Sequence, residues 1–159
     1  MPELNPEHVK QVLALINEGP YFQLLSIEVR DLGVGYSVVE ADYQTKHLNP
    51  FGGIHGGVYA SLVDTATFWV LYGRLPEEAG WVTADLKVNY LAPILEGKLI
   101  VHGKLIKFGR TLSLTEAEIR NEQGALLAIG TSALIQTSGG QTVESLARQK
   151  GIALLPKFL

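Results

Sequence analysis

Hydrophobic positions divide the chain into segments of helical and of extended spacing. A short amphipathic helix is predicted near the N-terminus, between the start signal Asn5-Pro6 and the stop signal Gly19-Pro20. Its apolar residues recur every three or four positions: Val9, Val12, Leu13 and Ile16. This spacing gives the helix one face to bury against the rest of the protein.

A second helical segment, residues 59–72, is apolar around most of its circumference and ends before Gly73 and Pro76. Its apolar residues are Tyr59, Leu62, Val63, Ala66, Trp69, Val70 and Tyr72. A helix of this kind is predicted to be buried on nearly every side. It nevertheless contains one carboxylate, Asp64.

Extended segments occupy most of the remaining chain. Residues 25–43 predict a strand pair divided by Gly33 and Gly35. Four further strands are predicted at residues 81–90, 99–108, 112–120 and 126–136. The first of these alternates strictly. One face is expected to hold Val82, Ala84, Leu86, Val88 and Tyr90, and the other Thr83, Asp85, Lys87 and Asn89.

The connections between these strands are short, and short turns imply antiparallel pairing. We therefore predict an α+β domain in which a curved, mostly antiparallel sheet of about six strands wraps around one long central helix. Residues 1–137 are expected to form this single domain. Residues 138–159, which begin at Ser138-Gly139-Gly140, are expected to be an appended tail of no assigned role. A small peripheral helix is expected there around Val143, Leu146 and Ala147, with an extension toward residues 152–155.

Composition narrows the possible functions. The chain has 159 residues, of which 47% are hydrophobic and 18% charged, and its net charge is −3, without a basic stripe for nucleic acid. There are no cysteines, so disulfides, thiolate metal sites and cysteine nucleophiles are excluded. The first residues lack a basic signal-peptide region, and no apolar run is long enough to span a membrane. We expect a cytoplasmic protein with no nucleic-acid or membrane partner.

The stretch HLNPFGGIHGGVYASLVD, residues 47–64, concentrates the candidate chemistry. Glycines just before a helix let backbone N–H groups approach a ligand, and the helix N-terminus adds a positive field. Gly56 and Gly57 lie where the first free N–H groups are expected, so this segment suits an anion or a developing oxyanion.

Asp64 follows inside the apolar helix. A buried carboxylate must be paired, solvated by a pocket or protonated, so Asp64 either orients a neighbouring polar group or takes part in catalysis. Structural roles are also open for His47 and His55, and Asn49 before Pro50 is a possible turn initiator. The HExxH, GxSxG, P-loop and GxGxxG patterns are absent, and no metal site or cofactor is expected.

The spacing from residue 47 to Asp64 resembles the signature of hotdog-fold acyl-CoA thioesterases of the phenylacetate-degradation type. The similarity continues through residues 83–93, 107–111 and 130–131, and covers roughly residues 20–137. It implies hydrolysis of an aryl- or medium-chain acyl-CoA to the free acid and CoA. It also implies homodimers formed through edge strands, commonly homotetramers as dimers of dimers, with active sites between subunits.

The resemblance also implies roles for individual residues. The Gly57 N–H polarises the thioester carbonyl, Asn49 helps to hold it, and His55 lies beside the acyl-thioester junction. Asp64 of the partner subunit activates a water or attacks as a nucleophile. Thr83, where serine is frequent, positions that water.

Further residues are implied to bind the substrate. Tyr90 lines the pantetheine path, and the turn Lys107, Phe108, Gly109, Arg110 and Thr111 meets the CoA nucleotide. For Lys107 and Arg110 the alternative is a solvated turn. For the protein as a whole the alternatives are a non-catalytic acyl-CoA-binding or regulatory module and a hotdog dehydratase or hydratase. The acyl group is left undetermined.

Overall fold

The computed structural model describes residues 3–77, 79–137 and 142–159. Its strands form one six-stranded sheet in which every neighbouring pair is antiparallel, as predicted. In chain order the strands are β1 Ile27–Gly33, β2 Tyr36–Asp42, β3 Gly80–Tyr90, β4 Lys98–Lys107, β5 Leu112–Arg120 and β6 Leu126–Thr137. Their order in the sheet is β1-β2-β4-β5-β6-β3, which leaves β3 at one edge.

Four α-helices accompany the sheet: α1 Pro6–Ile16, α2 Pro20–Leu25, α3 Gly56–Trp69 and α4 Val143–Gln149. Helix α3 packs against all six strands, which confirms the predicted wrapped sheet. The contact is close, because a Cβ added at Gly130 would lie 2.5 Å from a Val63 methyl. The apolar positions Leu62, Val63 and Ala66 are fully enclosed there. The central helix is therefore held firmly in register with the sheet.

The bounds of two predicted elements differ from those observed. Helix α3 begins at Gly56 rather than at residue 59, and after Trp69 the chain passes into a 3₁₀ turn, Tyr72–Arg74. The first predicted helix ends at Ile16, before the expected stop at Gly19-Pro20, and Pro20 starts the unpredicted α2, because proline suits a first helical position. One stripe of α3, which includes Ser61, Asp64 and Phe68, is only half-buried.

The strict alternation predicted for β3 is wrong, because a β-bulge interrupts the strand between Thr83 and Asp85. Before the bulge, Trp81 and Thr83 face α3, since Thr83 bonds to Asp64 and Trp81 packs against Leu71. Beyond the bulge, Val88 packs against the central core. The extra residue thus turns Thr83 from the predicted face of Asp85 and Lys87 toward the helix.

The C-terminal segment folds back onto α1. Helix α4 covers the predicted positions around Val143, whereas residues 152–155 are not helical. His8 Nδ1 donates to the Leu155 carbonyl at 2.6 Å, and its Nε2 accepts from the Tyr72 hydroxyl at 2.6 Å. Burial raises the pKa of Tyr72, so this hydroxyl stays protonated. The division of the chain after residue 137 stays a prediction.

Within the described ranges, no helix combines the length and the apolar character needed to cross a bilayer.

Candidate active site

The N-terminus of α3 is capped by a histidine. His55 is the N-cap, and its Nδ1 accepts a hydrogen bond from the Gly57 N–H at 2.8 Å. This arrangement needs a glycine, because a Cβ at position 57 would lie 2.9 Å from that nitrogen. The N–H that the sequence singles out as a carbonyl donor is therefore present and exposed, and in this structure it is satisfied by His55.

Asn49 organises the loop that precedes α3. Its Oδ1 accepts from the Phe51 and Gly53 N–H groups at 2.9 and 3.2 Å. Asn49 thus has the turn-forming role that was one of its two interpretations, and its side-chain amide group still offers N–H donors. His47 is 1% exposed, and its Nε2–H donates to the Leu25 carbonyl at 2.7 Å, which is a structural role.

Tyr90 lies against the same helix start. Its hydroxyl donates to the Gly56 carbonyl at 3.1 Å, and its ring meets Tyr59 edge-on with 5.7 Å between centroids. The Tyr90 side chain remains 57% exposed. The structure therefore brings together four predicted residues, Asn49, His55, Gly57 and Tyr90, which we call the loop half-site.

Asp64 lies further along α3 and bonds to the edge strand. Its Oδ1 accepts from the Thr83 hydroxyl at 2.8 Å, and both side chains are half-buried. The bulge after Thr83 makes this contact possible by aiming the hydroxyl at the helix. The carboxylate that looked costly in an apolar helix is thus only partly buried and has a hydrogen-bond donor.

The turn between β4 and β5 lies at the same end of the sheet. Phe108 packs on Trp81 with 5.9 Å between ring centroids, and Trp81 precedes Thr83 by two residues. Gly109 N–H donates to Ser113 Oγ at 3.2 Å, and Thr111 accepts from the Gln136 N–H at 2.9 Å. We call Asp64, Thr83 and the turn 107–111 the acid half-site.

Lys107 and Arg110 are exposed at the tip of this turn. Over residues 3–77, 79–137 and 142–159, neither of them forms an ion pair. Their charges are therefore available to an anionic group that approaches the acid half-site.

In this structure the two half-sites of one chain are too far apart to act on one small group. Gly57 and Asp64 lie on the same face of α3 but seven residues apart, which is roughly 10 Å along the helix axis. A reacting carbon must lie about 3 Å from both the oxyanion donor and the attacking group. Each half-site is therefore incomplete by itself.

Sequence reasoning missed the polar contacts between the two half-sites. Ser61 Oγ donates to the Gly57 carbonyl at 2.8 Å and accepts from the Tyr21 hydroxyl at 2.6 Å. The spacing of four residues between Gly57 and Ser61 was a signal for the first contact. The second joins distant parts of the chain, for which the sequence contains no signal.

A curved antiparallel sheet wrapped around one central helix defines the class of hotdog-fold proteins. Comparison with known proteins agrees. The sequence model of the Thioesterase superfamily matches residues 51–128. A protein of Saccharolobus solfataricus that is named an esterase is 31% identical over 137 residues, which cover 84% of this chain and 90% of that protein.

More distant similarities point the same way. Human acyl-coenzyme A thioesterase 13 is 27% identical over 78% of this chain and 91% of its own length. The Escherichia coli PaaI protein, from the phenylacetic acid degradation operon, has a TM-score of 0.75 and 21% identity over 86% of this chain and 98% of its own. A Streptococcus pneumoniae thioesterase protein, solved with coenzyme A, has a TM-score of 0.67 and 24% identity over 76% and 93%.

The chain therefore belongs to the thioesterase superfamily. It is a hotdog-fold thioester hydrolase, which confirms the resemblance found in its sequence.

Proposed function

We propose that this protein hydrolyses acyl-CoA thioesters to the free acid and CoA, at sites that each combine the acid half-site of one subunit with the loop half-site of another. The observation that carries the proposal is the hydrogen bond of 2.8 Å from Thr83 to Asp64, which holds a half-buried carboxylate at the sheet edge. The human relative is named for acyl-CoA, and the S. pneumoniae neighbour was solved with CoA.

In this proposal the Gly57 N–H binds the thioester carbonyl oxygen and stabilises the negative charge that develops on it. Asp64 either takes a proton from a water that attacks the carbonyl carbon, or attacks that carbon itself to form an anhydride that water then cleaves. In both routes the C–S bond breaks, and the CoA thiolate leaves and takes up a proton. Thr83 keeps the carboxylate in one orientation.

His55 must release the Gly57 N–H before the carbonyl can bind there. The released imidazole would then lie beside the thioester, where it can assist departure of the thiolate. The Oδ1 of Asn49 already accepts hydrogen bonds from the loop. The group that Asn49 can offer to the thioester carbonyl is therefore its side-chain N–H. Binding therefore replaces one hydrogen bond of the Gly57 N–H with another.

The edge strand offers a way to join the half-sites. In β3, Thr83 lies at Asp64 and Tyr90 lies at the start of α3. Antiparallel pairing of β3 with a second copy, about a two-fold axis near residues 86–87, would place Thr83 beside Tyr90 of the partner subunit. We therefore propose a homodimer, which can associate further into a dimer of dimers.

The remaining substrate contacts follow from this arrangement. Tyr90 would line the pantetheine path, and Lys107 with Arg110 would bind the CoA phosphates, with Phe108, Gly109 and Thr111 shaping the turn between them. We keep the cytoplasm as the predicted compartment.

The test is release of the CoA thiol from a panel of acyl-CoAs by the wild type, by Asp64→Asn and by Asp42→Asn. Asp42 is an exposed carboxylate on β2, outside both half-sites. We expect Asp64→Asn to lower kcat by at least about a hundredfold and Asp42→Asn to retain wild-type turnover. Undiminished hydrolysis by Asp64→Asn would refute the role of Asp64. Tight acyl-CoA binding by the wild type without release of CoA would instead indicate a binding module.

A further inference from the structure

An apolar cavity of about 440 Å³ lies between α2, the C-terminal end of α3, the start of β3 and α4. Six aromatic side chains contribute to its wall: Tyr21, Phe22, Phe68, Trp69, Tyr72 and Trp81. Neither half-site described above includes any of them, so the known chemistry of the protein leaves this cavity unassigned.

The cavity begins beside the acid half-site. Phe68 follows Asp64 by four residues, so it lies on the same face of α3 about 6 Å further along the axis. Trp81 precedes Thr83 by two residues and faces the same side of β3. A group that extends from a carbonyl at Asp64 in this direction therefore enters the cavity.

The outer wall comes from the C-terminal segment, which lies beyond the region matched to the thioesterase family. Helix α4 contributes Val143 and Leu146, and Lys157 also lines the cavity. Lys157 is 2% exposed; its Nζ donates to the Leu75 carbonyl at 2.8 Å and lies 4.1 Å from the centroid of the Tyr72 ring. This wall is thus fixed to the domain.

The charges around the cavity restrict what it can hold. Burial lowers the pKa of Lys157, and Glu144 and Glu77 offset only part of that shift. Two carboxylates and one lysine line the cavity, so its charged groups are negative on balance. Because both carboxylates line the cavity, an occupant with a terminal carboxylate would be repelled. The other lining groups are mostly apolar, which favours an occupant that is apolar to its end.

The volume indicates the size of that occupant. A cavity of about 150 Å³ holds a benzene ring, so a space of about 440 Å³ exceeds the need of one ring by roughly threefold. Short acyl groups would leave most of the aromatic wall without contacts.

We propose that this cavity binds the acyl group of the substrate, and that the C-terminal segment makes the enzyme selective for large, uncharged acyl groups of about ten or more non-hydrogen atoms. The inference rests on the proposed function, since it assigns the acyl subsite of the Asp64 site. Straight-chain and multi-ring aryl groups are both large and uncharged. Comparison of decanoyl-CoA with naphthylacetyl-CoA as substrates distinguishes between them.

Direct binding is measurable because the two tryptophans of the chain, Trp69 and Trp81, both line the cavity. Decanamide, whose neutral carbonyl replaces the thioester, should change the intrinsic fluorescence of the wild-type protein in a saturable way. We expect it to bind at least about a hundredfold more tightly than butanamide. Equal binding of the two amides, or no fluorescence change, would overturn the proposal.

The kinetic test uses Ala79→Phe, which fills the cavity, and Ala125→Phe, which adds the same group at an exposed turn. In the wild type, kcat/KM should rise roughly three- to fourfold per methylene from butanoyl- to decanoyl-CoA. Ala79→Phe should lower the decanoyl-to-butanoyl ratio at least tenfold, and Ala125→Phe should keep it. An unchanged ratio in folded Ala79→Phe would contradict the assignment.

The two tests also separate the subsite from the proposed function. Amide binding that Ala79→Phe weakens, in a protein that hydrolyses no acyl-CoA, would retain the cavity and refute the thioesterase proposal. Hydrolysis of acyl-CoA without any chain-length preference would retain the thioesterase proposal and refute the assignment of the cavity as the acyl subsite. Naphthylacetyl-CoA beside decanoyl-CoA identifies which of the two large acyl types is preferred.

Discussion

At the scale of single residues, Asp64 is held by one hydrogen bond. Thr83 donates to Oδ1, and among the residues that the structure describes no other side chain donates to either carboxylate oxygen. One oxygen is thereby oriented while the other is free to contact water or a carbonyl carbon. A base or nucleophile needs this combination, because it must be positioned without being fully neutralised by its neighbours.

This arrangement predicts how substitutions of Thr83 differ. Thr83→Val keeps the shape of the side chain but removes the hydroxyl, so the carboxylate loses its fixed orientation. We expect kcat to fall roughly ten- to thirtyfold, which is the typical effect of losing a hydrogen bond to a charged group. Thr83→Ser keeps the donor and should stay near wild-type turnover, as measured by CoA-thiol release.

Thermal unfolding supplies the control for these variants. Asp64 is half-exposed, so water can replace the lost donor and Thr83→Val should cost less than about 1 kcal/mol of stability. Loss of turnover in Thr83→Ser as well as in Thr83→Val would show that the hydroxyl is not the group that matters.

At the scale of elements, the sequence predicted the features that follow from hydrophobic periodicity. The central helix, the six strands and their antiparallel pairing follow from spacing and from short turns, because these patterns report which faces are buried. The bulge after Thr83 was not predictable, since an extra residue in a strand leaves a local alternation that reads as regular. It decides that Thr83, rather than Val82, faces Asp64.

The candidate site was likewise predictable only in part. The loop residues and Asp64 were visible as special residue types in one stretch. That His55 occupies the Gly57 N–H was not visible, because histidine is an uncommon N-cap and the contact depends on the rotamer of its ring. For the aromatic residues near Phe68, the sequence left an acyl pocket and core packing as alternatives. The outer wall of the cavity was not visible, because α4 supplies it, about 75 residues further along the chain.

The β4–β5 turn makes a prediction of its own. If Arg110 binds a CoA phosphate, Arg110→Gln should raise KM roughly fivefold for an acyl-CoA and leave KM unchanged for the acyl-pantetheine that lacks the nucleotide. Lys104→Gln is the matched control, since Lys104 is an exposed β4 cation paired with Glu116 at 3.7 Å. Equal effects on both substrates would indicate that the turn acts on structure and does not bind phosphate.

At the scale of the whole molecule, the edge strand β3 connects the two half-sites. It is long and unpaired on one side within the described chain, and it carries exposed apolar side chains at Val82, Leu86 and Tyr90. A strand of this kind is a template for pairing with another chain. The acid half-site contacts β3 at Thr83, and the loop half-site contacts it near the other end, at Tyr90. A two-fold axis through the middle of β3 would therefore bring the acid half-site of each subunit to the loop half-site of the other.

Mixed dimers test this arrangement directly. Gly57→Pro removes the N–H of the loop half-site and displaces the His55 ring that accepts from it, while proline is tolerated in the first turn of a helix. Homodimers of Gly57→Pro or of Asp64→Asn should each retain less than about 1% of wild-type kcat. A dimer purified through two different tags, with one variant in each subunit, has one site with both defects and one site with neither. It should therefore recover about half of the wild-type kcat. A mixed dimer as inactive as its parents would show that each chain completes its own site, and that the separation of Gly57 and Asp64 along α3 closes by a change of conformation instead.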